Sequence, residues 1–149
     1  MGGDKGPNAV LGGMNQYLYQ HGENHVFFRV FGDEKKLRKL LGKYPRVARN
    51  CEVVHAPNVI KGTDKVMDVL RHAQDTSMYM AIKDVREGKS AAVISAGNTG
   101  ILMSLSKLAL KTIDGISRPA ITTMLPSGAG DSRVVVLDLG ANVHCDETI

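Results

Sequence analysis

The chain has 149 residues and a formal net charge of +4, and 43% of its residues are hydrophobic. This length suffices for one domain with a buried core, and the composition is typical of a globular protein rather than a disordered one. No apolar run reaches the roughly 20 residues that span a bilayer, and the amino-terminal sequence lacks the apolar region of a secretory signal. Aromatic residues make up 5% of the chain and tryptophan is absent, which argues against a base-stacking surface for nucleic acid.

Helix-like and strand-like segments alternate in the first part of the chain. Residues 7–20 place apolar side chains at helical spacing, and Pro7 suits the first turn. A β-rich run at 25–31 precedes Asp33, which predicts the cap of a helix over the leucines that follow. Residues 51–56 predict a short strand that ends at a proline.

The same alternation continues in the second part. A long helix is predicted from Thr63 or Asp64 to about Glu87, with a glycine after it. The remaining predicted elements are a strand at 91–95, a helix from Ile101 to a closing Gly115, and strands at 119–125 and 133–139.

The pattern predicts an α/β fold with a mostly parallel sheet. Uninterrupted apolar strands such as 134–137 indicate burial on both faces, as in a parallel sheet covered by helices. We expect one α/β domain over residues 1–149. Because the chain opens on a strand-to-helix turn and its last strand stops where a helix should begin, we expect this domain to be incomplete at both ends.

Three loops that contain glycine follow predicted strands, at the sheet edge where ligands bind in open α/β folds. They are MGGDKGP at 1–7, SAGNTG at 95–100 and DLGANV at 138–143. Asn98 or Thr99 can cap the following helix, so that its first N–H groups point into the crevice. This arrangement favours a phosphate-like anion, whereas one such loop alone predicts a plain helix cap equally well.

Other motifs are less informative. GKS at 88–90 is not the end of a P-loop, because Lys83 occupies the place of its first glycine, and no G-x-G-x-x-G is present. The histidines lack metal-ligand spacing, and two cysteines give no disulfide framework, which fits a reducing cytosol. In the run His144, Cys145 and Asp146, neighbouring side chains point to opposite faces, so an inert cysteine is favoured over a thiol nucleophile.

Much of the positive charge lies in residues 34–50. The cations of this segment are Lys35, Lys36, Arg38, Lys39, Lys43, Arg46 and Arg49. A solvated helix face is the simpler interpretation, because the helix dipole favours basic residues toward a carboxyl end. The alternative is a docking patch for an acidic partner.

Several segments, in this order, resemble the bacterial PlsX-type phosphate acyltransferases. They are MGGDKGP, DTSM at 75–78, AAVISAGNTGILMSLSKLALKTIDGISRPAI and VVVLDLGANVHC. The resemblance covers essentially the whole chain and is to the amino-terminal half of such an enzyme. It implies a three-layer α/β/α Rossmann-like fold related to isocitrate and isopropylmalate dehydrogenases. It also implies an acyltransferase that moves a fatty acyl group from acyl carrier protein to inorganic phosphate, giving acyl phosphate for phospholipid synthesis.

The resemblance further implies a cytoplasmic homodimer, peripherally associated with the membrane, that uses no metal or organic cofactor. We expect phosphate or acyl phosphate to be bound by Gly97, Asn98, Thr99 and Gly100, with Asn98 the best candidate for a catalytic role. Asp4, Asp138 and Asn142 are expected to shape the same crevice. The segment before DTSM departs from the family pattern, because Arg71 is its only obvious cation.

Two alternatives to this function stay open. One is a phosphotransacetylase-like enzyme that uses coenzyme A, which would ignore acyl carrier protein. The other is a non-catalytic module that binds an anion or a partner through residues 34–50, which would bind without turnover.

Overall fold

The computed structural model of the chain describes residues 3, 5–116, 119–128 and 133–137. It divides the chain into two compact units, Met1–Leu110 and Lys111–Ile149. The elements of the first unit are α1 (Gly6–His21), β1 (Phe28–Gly32), α2 (Glu34–Leu41), α3 (Pro45–Arg49), β2 (Cys51–His55), α4 (Val66–Arg71), a 3₁₀ turn (Ala73–Asp75), α5 (Ser77–Arg86) and α6 (Thr99–Leu110). The second unit holds β3 (Thr122–Pro126) and β4 (Arg133–Leu137). The predicted α/β class is confirmed, and the single domain stays a prediction.

Local sequence signals set the ends of the first two helices. Pro7 lies in the first turn of α1, and Gly22 ends the helix with a φ of 86° and donates its N–H to the Leu18 carbonyl. The Asp33 side chain accepts a hydrogen bond of 3.1 Å from the backbone N–H of Lys36 and so caps α2. Both predicted helices and the Asp33 cap are therefore confirmed.

Strands β1 and β2 form a parallel pair with helices on both faces. Phe28 lies opposite Cys51, and the register runs on to Gly32 opposite His55. Phe28 packs on a core cluster whose buried members come from α1, α2 and α3: Leu11, Leu18, Leu41 and Val47. Arg29, which points to the other face, bonds Asp84 of α5. The parallel pairing and the layered arrangement agree with the Rossmann-like prediction.

The single long helix predicted up to Glu87 is wrong, because the chain breaks between α4 and α5. Thr76 donates its hydroxyl to the Ala73 carbonyl at 2.6 Å and accepts from the N–H of Tyr79, which makes it the cap of α5. Asn58 forms a bridge with Thr76 and accepts from the N–H of Ser77. The loop after β2 thus takes backbone bonds that a continuous helix would need.

The segment 91–95, predicted as a strand, has no strand structure. Strand structure requires a hydrogen-bonded neighbour, and among the described residues nothing pairs with this segment. Val93 packs on the second core cluster, whereas Ile94 is 91% exposed. The buried members of that cluster are Ile60, Val69, Ala73, Met78, Ile82, Ile101, Leu105 and Ala109.

The second unit contains an antiparallel pair, with Thr122 opposite Leu137 and Pro126 opposite Arg133. The prediction that residues 134–137 are buried on both faces of a parallel sheet is therefore wrong. Val134, Val135 and Leu137 are each more than half exposed. An apolar run marks a strand that can be buried, but burial also needs covering elements that the run does not encode.

Candidate active site

The loop SAGNTG and the start of α6 border a pocket of about 430 Å³. Its lining residues are Gly3, Gly62, Ala96, Gly97, Asn98, Thr99 and Gly100. Four of these, Gly97 to Gly100, are the residues that the sequence predicts to bind phosphate, and the structure brings them together at one surface. Because glycine carries no side chain, most of this surface is backbone, which suits a ligand that accepts hydrogen bonds from N–H groups.

Asn98 holds the start of α6. Its Oδ1 accepts a hydrogen bond of 3.0 Å from the backbone N–H of Ile101, and its Nδ2 donates to the carbonyl of Gly62 at 3.4 Å. The cap that the sequence predicts is confirmed, and the same side chain ties the loop after β2 to the pocket. With its oxygen and nitrogen both engaged, Asn98 fixes the geometry of the site.

The electrostatics at the start of α6 favour an anion. No acidic side chain lies in the first turn of this helix, which runs for 12 residues. The unpaired N–H groups of a first turn carry a partial positive charge. Ile101, Leu105 and Ala109 anchor the helix because their side chains are buried in the core. The first-turn N–H groups are therefore presented on a rigid support.

Two glycines of the pocket are required by close packing. A Cβ on Gly97 would lie 2.7 Å from the Cε of Met78. A Cβ on Gly3 would lie 2.6 Å from the carbonyl oxygen of Ala96, and Gly3 has a φ of +107°. Methionine can move its terminal methyl group, but a backbone carbonyl cannot move without displacing the loop, so Gly3 is the stricter requirement.

The DTSM segment supports the pocket from below. Thr76, Ser77 and Met78 are all buried, and Met78 lies directly under Gly97. Ser95 adds a bond inside the loop, where its hydroxyl oxygen accepts from the N–H of Gly97 at 3.1 Å. Through its packing against Gly97, the DTSM segment helps to position the loop.

Other predicted residues lie outside the described residues. They are Asp4, Asp138 and Asn142 of the expected crevice, and His144, Cys145 and Asp146. Gly62 is the pocket residue that the sequence analysis missed. Its loop, PNVIKGTDK, follows the carboxyl end of a parallel strand and contains a glycine, which is the same signal that identifies SAGNTG.

Two other kinds of site, a metal centre and a cysteine nucleophile, receive no support from the described residues. No cluster of three or more metal-ligating side chains occurs among them. Burial raises the pKa of the Cys51 thiol, with nearby Arg38 acting against the rise, so this cysteine is a poor nucleophile at neutral pH. In the same part of the chain, no helix has the length and apolar character to cross a bilayer.

Comparison with known proteins agrees with the resemblance seen in the sequence. The family model described as "Fatty acid synthesis protein" matches residues 1–149. The phosphate acyltransferase of Neorickettsia sennetsu is 43% identical over 100% of this chain and 43% of its own length. Those of Maricaulis maris and Pelagibacter ubique are 40% and 41% identical over 99% and 97% of the chain, and 42% of each of their lengths is matched. The chain thus spans about two-fifths of these curated relatives.

Proposed function

Since the chain belongs to the family described as fatty acid synthesis protein, we propose that the full-length protein is a phosphate acyltransferase. Its reaction transfers a fatty acyl group from acyl carrier protein to inorganic phosphate, and the acyl phosphate formed serves phospholipid synthesis. The observation that carries this proposal is the glycine-lined pocket at the start of α6, because it offers backbone N–H donors to an anion without an acidic side chain in that helix turn.

In this reaction the phosphate is the nucleophile. One phosphate oxygen forms a bond to the thioester carbonyl carbon, and the carbon–sulfur bond then breaks, so that the thiolate leaves and takes up a proton. The site must hold the phosphate beside the thioester and offset the charge on the carbonyl oxygen in the transition state. The N–H groups of Thr99 and Gly100 supply donors for the first task, and Asn98 holds the helix start that presents them.

The proposed site also includes residues that are not among those lining the described pocket. We propose that Asp4, Asp138 and Asn142 complete the crevice, and that Asn98 contacts the phosphate in the course of the reaction. A cytoplasmic homodimer in peripheral contact with the membrane belongs to the same proposal. It draws its support from the resemblance alone.

The experiment uses the complete open reading frame that contains these residues. The purified protein is incubated with long-chain acyl carrier protein, with and without inorganic phosphate, and acyl phosphate is measured. We expect acyl phosphate only when both substrates are present. Asn98→Ala should lower phosphate-dependent turnover, whereas Gln16→Ala, which removes an exposed amide of α1 outside the pocket, should leave turnover unchanged.

A parallel reaction with acyl-coenzyme A tests the main alternative. Product from the coenzyme A thioester and none from the carrier would replace this proposal with a phosphotransacetylase-like activity. Phosphate binding without turnover on either thioester would leave a non-catalytic anion-binding module.

A further inference from the structure

The basic segment 34–50 forms a surface of α2, α3 and the turn between them, which we call the basic surface. Some of its cations are neutralised: Arg38 bonds Glu34 at 2.8 Å, and Arg49 bonds Glu23 at 3.1 Å. Three exposed lysines have no ion-pair partner in the described part of the chain: Lys35, Lys39 and Lys43. The basic surface therefore keeps positive charge that no ion pair among the described residues offsets.

A groove of about 770 Å³ runs between the basic surface and β2. Arg38 and Arg49 line its helical side, and Cys51, Glu52 and Val53 line its strand side. Neighbouring side chains of a strand point to opposite faces of the sheet. A groove lined by three consecutive strand residues therefore follows the edge of β2 rather than one face.

The outer edge of β2 has backbone groups without partners. Asn50 accepts a bond from the first residue of β1, and Ala56 donates to its last residue, so the even-numbered positions of β2 face β1. The N–H and C=O groups of Cys51, Val53 and His55 therefore face away from β1. Among the described residues, none forms a backbone hydrogen bond with them. Such an edge is a template for one more strand.

The charge and composition of the basic surface indicate which kind of segment can pair with the edge of β2. Segment 34–50 carries no exposed large apolar side chain, so it lacks the anchors with which a helix enters a lipid surface. A second copy of this chain would bring a second set of unpaired lysines to the same edge, and the like charges would repel. An extended segment rich in carboxylates satisfies both the backbone groups and the lysines.

We propose that the edge of β2 binds an extended acidic segment of a partner protein. The segment adds to the sheet as a parallel or antiparallel strand, and its carboxylates pair with the cations of the basic surface. Lys35 stands three residues before Arg38 on α2, so it lies on the side of the helix that borders the groove. This surface shares no lining residue with the pocket at α6, and the proposal does not depend on the proposed function.

The test uses the full-length protein and three synthetic peptides of about eight residues, long enough to cover one strand. The first peptide alternates glutamate and valine, and the second alternates lysine and valine. The third is the glutamate peptide with every backbone nitrogen methylated, which removes the N–H donors of both its edges. At low salt, about 50 mM, we expect the glutamate peptide to bind at least about tenfold more tightly than the other two. Hydrogen exchange should slow at the amides of Cys51, Val53 and His55.

Charge reversal on the protein gives the matched comparison. The double variant Lys35→Glu, Lys39→Glu should weaken binding of the glutamate peptide roughly tenfold, because each reversal replaces an attraction with a repulsion. The control double variant Arg71→Glu, Arg86→Glu reverses two exposed cations on other helices and should bind as the wild type does.

Three outcomes would overturn the proposal. Equal binding of the methylated peptide would mean that charge alone attracts the ligand and that no strand is added. Binding of anionic phospholipid vesicles, lost in the Lys35 and Lys39 variant while no peptide binds, would make the basic surface a membrane contact. A dimer that dissociates when the peptide is added would show that a second copy occupies the edge.

Discussion

Replacing Asn98 with aspartate should separate the structural role of this residue from its role toward the anion. Aspartate keeps an oxygen that can accept the bond from Ile101, which Asn98 now accepts at 3.0 Å. An acidic group at a helix start is also favoured by the dipole, by about 0.3–1 kcal/mol. Aspartate cannot donate to the Gly62 carbonyl, which the Asn98 amide reaches at 3.4 Å, and this loss offsets the gain from the dipole. The free energy of unfolding should therefore stay within about 1 kcal/mol of the wild type.

Phosphate binding, in contrast, should weaken. For a phosphate held by the first-turn N–H groups of α6, a carboxylate at this position would place a negative charge at a distance on the order of 5 Å. With an effective dielectric constant between about 20 and 40, the repulsion is roughly 1.5–3 kcal/mol per unit of phosphate charge. Since about 1.4 kcal/mol corresponds to a factor of ten, the KM for phosphate should rise roughly ten- to hundredfold.

Two further variants serve as controls for this comparison. Asn98→Ala removes the cap and should cost about 1 kcal/mol in the free energy of unfolding, in addition to its loss of activity. Asn98→Ser keeps a capping oxygen without a charge and should retain most of the stability. Urea unfolding of the full-length protein gives the stability of each variant, and initial rates against phosphate concentration give KM. An Asn98→Asp enzyme with the KM of the wild type would refute the placement of phosphate at α6.

Other substitutions test the scaffold. Asp84→Ala should lower the free energy of unfolding by about 2–3 kcal/mol, because this buried carboxylate accepts bonds from a guanidinium and a hydroxyl; a urea midpoint equal to that of the wild type would contradict this. Gly3→Ala should cost about 1–3 kcal/mol and lower turnover, since its methyl group would meet the carbonyl of Ala96; unchanged thermal unfolding and kinetics would show that the loop yields. Hydrogen bonds from Arg49 hold the pKa of Glu23 below its ordinary value of 4.5. The stability that this pair contributes is therefore present above pH 4.5, and it is lost as the pH falls through the lower pKa of the folded state. In Glu23→Gln that acid-induced loss should be smaller, as measured by unfolding at a series of pH values.

Most local features of the first unit could be predicted from the sequence. Asp33 caps α2, Asn98 caps α6, and residues 51–55 form a strand. These features depend on residues that are close together in the chain or on a simple apolar pattern, so the local sequence is enough to predict them. The clustering of Gly97 to Gly100 at one pocket also follows, because a loop between an apolar segment and a helix is local.

The break before α5 and the support under the pocket depend on distant residues. Asn58 forms backbone hydrogen bonds with Asp75 and Ser77 and so interrupts the segment predicted as one helix. The Gly62 carbonyl bonds Asn98 across 36 positions of the chain. The sequence shows which residues carry hydrogen-bond donors and acceptors, but it does not show which distant residue each of them bonds.

The two strand pairs show the same division. A run of apolar and β-branched residues identifies a segment that can form a strand. These runs were enough to locate β1, β2 and β4 along the chain. Direction, partner and burial were decided only in the tertiary structure: β1 and β2 pair in parallel, whereas β3 and β4 pair antiparallel with exposed side chains. Strands pair through backbone N–H and C=O groups, which every residue other than proline has in the same form. The sequence therefore does not specify which strands pair, and the packing of the whole chain decides it.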